Sequence, residues 1–201
     1  MHPNRSPEPG EEKLRYSNDH GLTGRHHVRM THEIRPGVPE DVEARECVRV
    51  TTWKVAYRGI MPDEYLDALK VEPDAVAGMK EGLANALAEG RTPFLVGEIG
   101  GKVVGFINFG RCRDEEIGGG HVFALYVLPE KQSNGLGHAL MTAAVKQLRA
   151  DGHEKIGLWV AAGNAQARHF YERFGFISSG RTQPLPPPFP PVEEVHYTLP
   201  L

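Results

Sequence analysis

A short glycine-containing segment, VLPEKQSNGLGH over residues 127–138, constrains this 201-residue chain more than any other part of its sequence. An apolar run typical of a strand ends there, and an amphipathic helix follows. The first backbone N–H groups of a helix have no partner within the helix, and the helix dipole adds about half a positive charge at that end. Because Gly135 and Gly137 have no Cβ atom, an anion can approach this backbone closely. The segment therefore predicts a phosphate-binding loop, and a diphosphate suits it best.

The spacing of these glycines does not match the two best-known phosphate-binding motifs. A dinucleotide-binding fingerprint needs a third glycine where Leu140 stands, and a P-loop needs a Gly-Lys-Ser/Thr ending that the segment lacks. The pattern that remains is Gln132-x-x-Gly135-x-Gly137. Taken alone, it leaves two interpretations open: a diphosphate-binding loop, or a glycine-rich helix start without a ligand.

Apolar periodicity over the rest of the chain predicts strands alternating with helices. The predicted strands are 31–35, 94–99, 103–109, 121–127, 155–161, 176–179 and 195–199, and the predicted helices are 39–57, 62–69, 73–89, 136–150 and 165–174. The helix over 136–150 has the clearest apolar stripe: Leu136, Leu140, Ala143, Ala144 and Leu148. The helix over 73–89 has another: Val76, Met79, Leu83, Ala86 and Leu87. Gly100 and Gly101 link two strands as an antiparallel hairpin. This order predicts an α/β (α+β) fold, a mixed sheet with helices on both faces.

The two ends of the chain differ from this pattern. Residues 1–30 contain prolines and few large apolar side chains, so we expect a flexible N-terminal tail and a single domain over 31–201. The adjacent His26 and His27 lack the spacing of a metal site, and we expect no metal. Residues 184–191 include six prolines, which predicts an extended loop before the last strand.

Composition excludes several classes of function. Lys and Arg number 23 against 26 Asp and Glu, a net charge of −3, which argues against a nucleic-acid partner. The sequence shows no secretory leader and only two cysteines, Cys47 and Cys112, which we interpret as structural. No run of 18 apolar residues occurs, so we expect no membrane span. A cytoplasmic protein is the resulting expectation.

Three further segments stand around the glycine loop in a fixed order. They are WKVAYRGIMP over 53–62, ALYVLP over 124–129 and NAQARHFYERFGF over 164–176. Together with the loop, they resemble the GNAT superfamily of acyl-CoA-dependent N-acyltransferases, and the resemblance extends over about residues 31–201. It implies a mostly antiparallel sheet that splits between its fourth and fifth strands, with the acyl-CoA lying in the split.

The resemblance also implies which residues bind acetyl-CoA. The backbone of Leu125, Tyr126 and Val127 would pair with the pantetheine arm. The loop amides would take the diphosphate: Gln132, Ser133, Asn134, Gly135, Leu136, Gly137 and His138. The helix after the fifth strand would supply Asn164, Ala167, Arg168 and Tyr171. Asn134 departs from the family, where many members have a basic residue. Lys131 and Arg168 are candidate phosphate contacts.

Acetyl transfer to an amine needs a base for the ammonium group and an acid for the leaving thiolate. The family motif implies Tyr171 as the acid, with a half-buried packing residue as the alternative. His121 stands where many members have a glutamate, and it is the first candidate base. Glu98, on the second strand, is the other candidate base. Trp53 and Tyr57 are candidate acceptor-pocket residues, although Trp53 also suits simple core packing.

We therefore predict an N-acetyltransferase that moves an acetyl group from acetyl-CoA to a primary amine by direct attack in a ternary complex. A non-catalytic acyl-CoA-binding or sensor module is the alternative, since a glutamate is missing at residue 121. The acceptor would be a small-molecule amine or a protein amine, and the acidic residues Asp114, Glu115 and Glu116 favour a cationic one. The last strand and the proline-rich loop are candidate elements of a homodimer.

Overall fold

The structure, a computed structural model, describes residues 32–201, so the tail expected over 1–30 lies outside the described residues. The strands are β1 His32–Pro36, β2 Phe94–Ile99, β3 Lys102–Arg111, β4 Gly120–Val127, β5 Lys155–Ala161, β6 Ile177–Pro184 and β7 Glu193–Pro200. The helices are α1 Val42–Ala56, α2 Asp63–Ala68, α3 Pro73–Ala88, α4 Leu136–Ala150 and α5 Ala165–Phe174. Two short 3₁₀ helices, Pro39–Asp41 and Pro129–Lys131, precede α1 and α4.

The strands form one seven-stranded sheet in the order β1-β2-β3-β4-β5-β7-β6. Every neighbouring pair is antiparallel except β4 and β5, which run parallel. These two strands pair only from Gly120 opposite Ile156 to Val122 opposite Leu158. Past Val122 they diverge, and the sheet splits. The predicted mixed, mostly antiparallel fold with a split between the fourth and fifth strands is confirmed.

Helices cover both faces of the sheet. Helices α4 and α5 pack on one face, where all five residues of the predicted α4 stripe are buried. Helices α1 and α3 pack on the other face against Phe94, Val96 and Phe106. The first turn of α4 lies especially close to the sheet, because a Cβ atom at Gly97 would come within 2.6 Å of Leu136 Cδ1. This close packing fixes where the loop before α4 emerges.

Three local predictions differ from the structure. The helix predicted from residue 39 starts as a separate 3₁₀ turn, in which the Asp41 carboxylate accepts the Val38 N–H and pairs with Arg35. Met79 is exposed rather than part of the α3 stripe, and its sulfur accepts a hydrogen bond from Arg45 instead. The strand β6 continues to Pro184, because an irregularity between Ser178 and Thr182 lets it follow β7. No helix among residues 32–201 is long and apolar enough to cross a membrane.

Candidate active site

The split between β4 and β5 opens into a cleft of about 890 Å³. One wall comes from the end of β4 and the loop before α4, and the other comes from the end of β5 and from α5. Side chains from α1 and from the segment 185–194 close the cleft on the face opposite α4. The predicted binding residues that line it are Leu125, Tyr126, Val127, Gln132, Ser133, Gly135, Gly137, His138, Asn164, Ala167 and Tyr171.

The glycine loop presents uncapped backbone to this cleft. Gly135 precedes α4 in the left-handed region with φ +81°, and no side chain caps the helix there. Ser133 also has a positive φ, of 63°. An added Cβ at Gly135 would have no neighbour within 4 Å, so a group approaching this backbone has room. The site therefore meets the requirements of a diphosphate: unpaired N–H groups, the positive end of a helix and open space.

Gln132 ties the loop to both walls of the cleft. Its Nε2 donates to the Val127 carbonyl oxygen at 3.0 Å, and its Oε1 accepts from Gln166 Nε2 at 3.0 Å. The side chain of Gln132 therefore positions the loop, and its backbone N–H already donates to the Pro129 carbonyl oxygen at 3.3 Å. Gln166 was not predicted, because no local pattern shows that the two glutamines meet across 34 residues.

Helix α5 begins with a side-chain cap. Asn164 Oδ1 accepts the Ala167 N–H at 3.1 Å, the usual N-cap bond. Arg168 is held away from the cleft, since its Nε donates to the Tyr197 hydroxyl and its guanidinium to the Ala162 carbonyl, each at 3.1 Å. The cation that α5 does bring to the lining is Arg173. Neither Asn134 nor Leu136 lines the cleft, and the Leu136 side chain lies in the core.

Tyr171 lies in the cleft wall on α5. Its side chain is 8% exposed and packs edge-on against the rings of Phe170 and Phe176. Burial, followed by the nearby Tyr126, raises the pKa of Tyr171 above its ordinary value. The phenol is therefore protonated at neutral pH, as a proton donor must be.

An aromatic pocket adjoins Tyr171. The Trp53 ring lies 5.0 Å from Tyr57 and 5.5 Å from Phe189, measured between ring centroids. Phe189 belongs to the proline-rich loop, which folds back over the pocket together with Leu185 and Val192. Trp53 is buried at 7% exposure and still lines the cleft, so both interpretations of this residue describe part of its environment.

The two candidate bases lie outside the cleft. His121 is 6% exposed and lies where β4 still pairs with β5, with its ring 6.4 Å from that of His196. Burial, followed by the nearby His196, lowers the pKa of His121 to about 4. Within residues 32–201 its Nδ1 has no hydrogen-bond partner. Glu98 is bound to Arg35 on the β1 side of the sheet. The structure therefore does not bring His121 or Glu98 to Tyr171.

The carboxylate that the structure does bring to the cleft is Glu194, at the start of β7. Among the described lining residues it is the one acidic side chain. No sequence motif indicated Glu194, because it reaches the site through the pairing of β7 with β5, where it stands opposite Ala161. No group of three or more His, Cys, Asp or Glu residues that could hold a metal is found over 32–201.

The split sheet, the uncapped loop and the adjoining aromatic pocket agree with an acyltransferase that uses coenzyme A as its acyl carrier. A sequence model of the Acetyltransferase (GNAT) family matches residues 55–176, more than half of the chain. The chain belongs to this family, as the resemblance predicted, and as an enzyme it is an acetyl-CoA-dependent N-acetyltransferase.

Relatives and solved structures agree with this assignment. The chain is 29% identical over 132 residues to the uncharacterized N-acetyltransferase YuaI of Bacillus subtilis (strain 168), a match covering 65% of this chain and 72% of that protein. PaiA N-acetyltransferase from Thermoplasma acidophilum, solved with coenzyme A, superimposes with a TM-score of 0.65 at 22% identity, covering 83% of this chain and 98% of that one. YncA from Salmonella typhimurium, solved with acetyl-CoA, gives a TM-score of 0.62 at 20% identity, covering 84% and 93%. At these identities the structural likeness shows the fold.

Proposed function

We propose that this enzyme transfers the acetyl group directly from acetyl-CoA to a primary amine while both substrates occupy the cleft. One observation carries the proposal: a single continuous cleft joins the uncapped glycine loop, Tyr171 and the aromatic pocket. A donor held at the loop and an acceptor held in the pocket would therefore meet beside Tyr171.

Direct attack also agrees with the absence of a cysteine nucleophile from the described cleft lining. No cysteine among residues 32–201 lines it, since Cys47 is exposed on α1 and Cys112 is buried at the end of β3. An acetyl-enzyme intermediate on a thiolate would need one of them in the cleft. We therefore propose that the amine nitrogen itself attacks the thioester.

The donor would be held mainly by backbone. The N–H groups at the start of α4 would bind the diphosphate, and Arg173 would add a positive charge. The PaiA and YncA structures were solved with coenzyme A and acetyl-CoA, which supports acetyl-CoA as the donor here. The edge of β4 past Val122 no longer pairs with β5, so it is open to the pantetheine arm.

The reaction moves protons as well as the acetyl group. The acceptor ammonium first loses one proton, because only a neutral amine has a lone pair for attack. The nitrogen then forms a bond to the thioester carbon, and the carbon–sulfur bond breaks. Tyr171 donates its phenolic proton to the leaving thiolate and regains one from the new amide nitrogen. The products are the acetylated amine, coenzyme A as the thiol and one proton released to a base.

The test is thiol release from acetyl-CoA against a panel of primary amines. We expect Tyr171→Phe to lower kcat by about a hundredfold, because a general acid is removed while the ring remains. Its dissociation constant for acetyl-CoA, measured by calorimetry, should stay within about twofold of wild type. Tyr65→Phe, on α2 outside the cleft lining, is the matched control and should turn over normally.

Two results would contradict the proposal. Acetyl-CoA binding without turnover on any amine would favour the binding-module alternative. Full activity in Tyr171→Phe over the whole pH range would remove Tyr171 as the acid.

A further inference from the structure

Glu194 is the one acidic residue among the described residues that line the cleft, and it lies at the open end of the split. Its partner on β5 is Ala161, the last residue of that strand, well past the point where β4 and β5 separate. Gln183 on β6 donates from Nε2 to Glu194 Oε2 at 3.0 Å. This bond fixes the carboxylate and engages one of its two oxygen atoms.

The carboxylate faces the same space as the reacting groups. Burial is the main cause that raises the pKa of Tyr57, and the nearby Tyr126, Tyr171 and Glu194 add to it. Burial likewise raises the pKa of Tyr126, and Glu194 contributes. Tyr57 is therefore within electrostatic reach of both Tyr171 and Glu194. Tyr171 and Glu194 also both line the cleft, which therefore contains an acid and a carboxylate.

Half-burial makes the Glu194 carboxylate more basic than an exposed one. Burial raises the pKa of Glu194, and the hydrogen bond from Gln183 opposes this only in part. A carboxylate with a raised pKa accepts a proton from a bound ammonium group more readily than an exposed carboxylate does.

The walls next to Glu194 are apolar and aromatic. Trp53, Tyr57 and Phe189 form the pocket, and Trp53 packs with Phe189 at 5.5 Å. Aromatic faces favour a cation that they surround and also bury an apolar body. An aryl or alkyl group carrying one ammonium group fits both properties of this pocket.

Two arginines of α1 also line the cleft. Arg45 and Arg49 both line the cleft and share a single buried carboxylate, Glu46, at 2.6 and 2.8 Å. One positive charge among these three side chains is therefore left uncompensated. The Arg49 guanidinium also lies over the Trp53 ring, 5.6 Å from a ring centroid. A second ammonium group on the acceptor would meet this like charge.

We propose that Glu194 binds the acceptor ammonium group and accepts its proton, and that the acceptor is a monoamine with an apolar body. This inference deepens the proposed function and rests on it. The N–H bond of the ammonium breaks, its electron pair stays on nitrogen for attack on the thioester, and the proton forms an O–H bond on Glu194. Release of that proton to solvent restores the carboxylate.

The experiment compares two matched amines on two matched variants. Phenethylamine carries one ammonium group, and 4-(aminomethyl)phenethylamine adds a second at the far end. Glu194→Gln removes the charge, while Glu193→Gln removes the neighbouring carboxylate, which is exposed and does not line the cleft. Each amine is titrated by calorimetry into protein loaded with coenzyme A, and thiol release from acetyl-CoA is then measured.

We expect phenethylamine to bind at least about tenfold more weakly to Glu194→Gln than to wild type, because a charged partner is lost. Turnover should fall about a hundredfold, with acetyl-CoA affinity unchanged, as for loss of a general base. The diamine should bind wild type at least about tenfold more weakly than phenethylamine does. Glu193→Gln should match wild type in every measurement.

The inference is overturned if Glu194→Gln binds and acetylates phenethylamine like wild type, if wild type does not bind phenethylamine, or if the diamine binds equally well. Binding is measured without turnover. If the enzyme acetylates no amine, the proposed function is wrong, but the titrations still test whether Glu194 binds the ammonium group. If Glu194→Gln fails to fold, Glu194→Asp serves instead. It should retain phenethylamine binding and lose most of the turnover, and unchanged turnover would overturn the inference.

Discussion

The buried His121 makes the stability of this fold depend on pH in a direction that the structure determines. Its ordinary pKa of 6.5 falls to about 4 in the folded protein, chiefly because burial disfavours the charged ring. Between these values the unfolded chain binds a proton that the folded protein does not. The contribution of the uncharged His121 to the free energy of unfolding is therefore fully present above about pH 6.5 and is lost as the pH falls toward 4.

The size of the effect follows from the two pKa values. A shift from 6.5 to about 4 corresponds to roughly 3 kcal/mol once both states have titrated fully. Between pH 7 and pH 5 the same linkage gives a loss of about 2 kcal/mol in the free energy of unfolding. The pKa of His196, 6.4 Å away, is also lowered, mainly by burial, and it adds to the loss.

Urea unfolding followed by tryptophan fluorescence at pH 7 and pH 5 measures this loss. In His121→Asn, which keeps a polar side chain but does not titrate, the difference between the two pH values should shrink by about 2 kcal/mol. His169→Asn, on the exposed face of α5, is the control and should retain the wild-type dependence. A loss of stability between the two pH values in His121→Asn as steep as in wild type would refute this role of His121.

Two further substitutions test the packing and the loop. Gly97→Ala brings a Cβ atom to 2.6 Å from Leu136 and should destabilise the protein by about 1–3 kcal/mol in urea, whereas unchanged stability would mean that α4 can shift at no cost. Gly135→Val forces a β-branched residue into φ +81° beside the diphosphate site, so its acetyl-CoA affinity should fall at least about tenfold by calorimetry. Gly152→Val imposes the same strain at φ +84° beyond the far end of α4 and should leave that affinity unchanged; an equal loss in both variants would trace the effect to general strain.

Local sequence patterns predicted most of the fold and the part of the site that would bind the acetyl donor. The glycines of the loop, the α4 stripe and the Gly100-Gly101 turn each depend on neighbours a few residues apart, so periodicity and turn chemistry reveal them. The split sheet followed from the family resemblance, because strand pairing over long distances leaves no local trace. An apolar stripe predicts which residues share a helix face but not their contacts with other helices. The position of Met79 on α3 therefore did not predict its hydrogen bond with Arg45 of α1.

The acceptor half of the site depends on contacts that no local pattern reveals. Phe189 lies in a segment whose six prolines indicate only an extended loop, yet it packs on Trp53 of α1, which is distant in sequence. Glu194 was missed for the same reason, because its place is set by pairing with β5. His121 occupies the strand position that the family motif indicates, but the short pairing of β4 with β5 encloses it.

The central claim is that backbone at the start of α4 binds the diphosphate of acetyl-CoA in the split. Calorimetry with acetyl-CoA and with acetyl-pantetheine, which keeps the thioester arm but lacks the diphosphate and the adenosine, tests it, and Gly135→Val separates the contribution of the loop from that of the adenosine. Since the loop amides would bind only the former, acetyl-CoA should bind at least about a hundredfold more tightly, and added salt should weaken it only moderately. Equal affinity for the two compounds, or no heat with acetyl-CoA, would contradict the account.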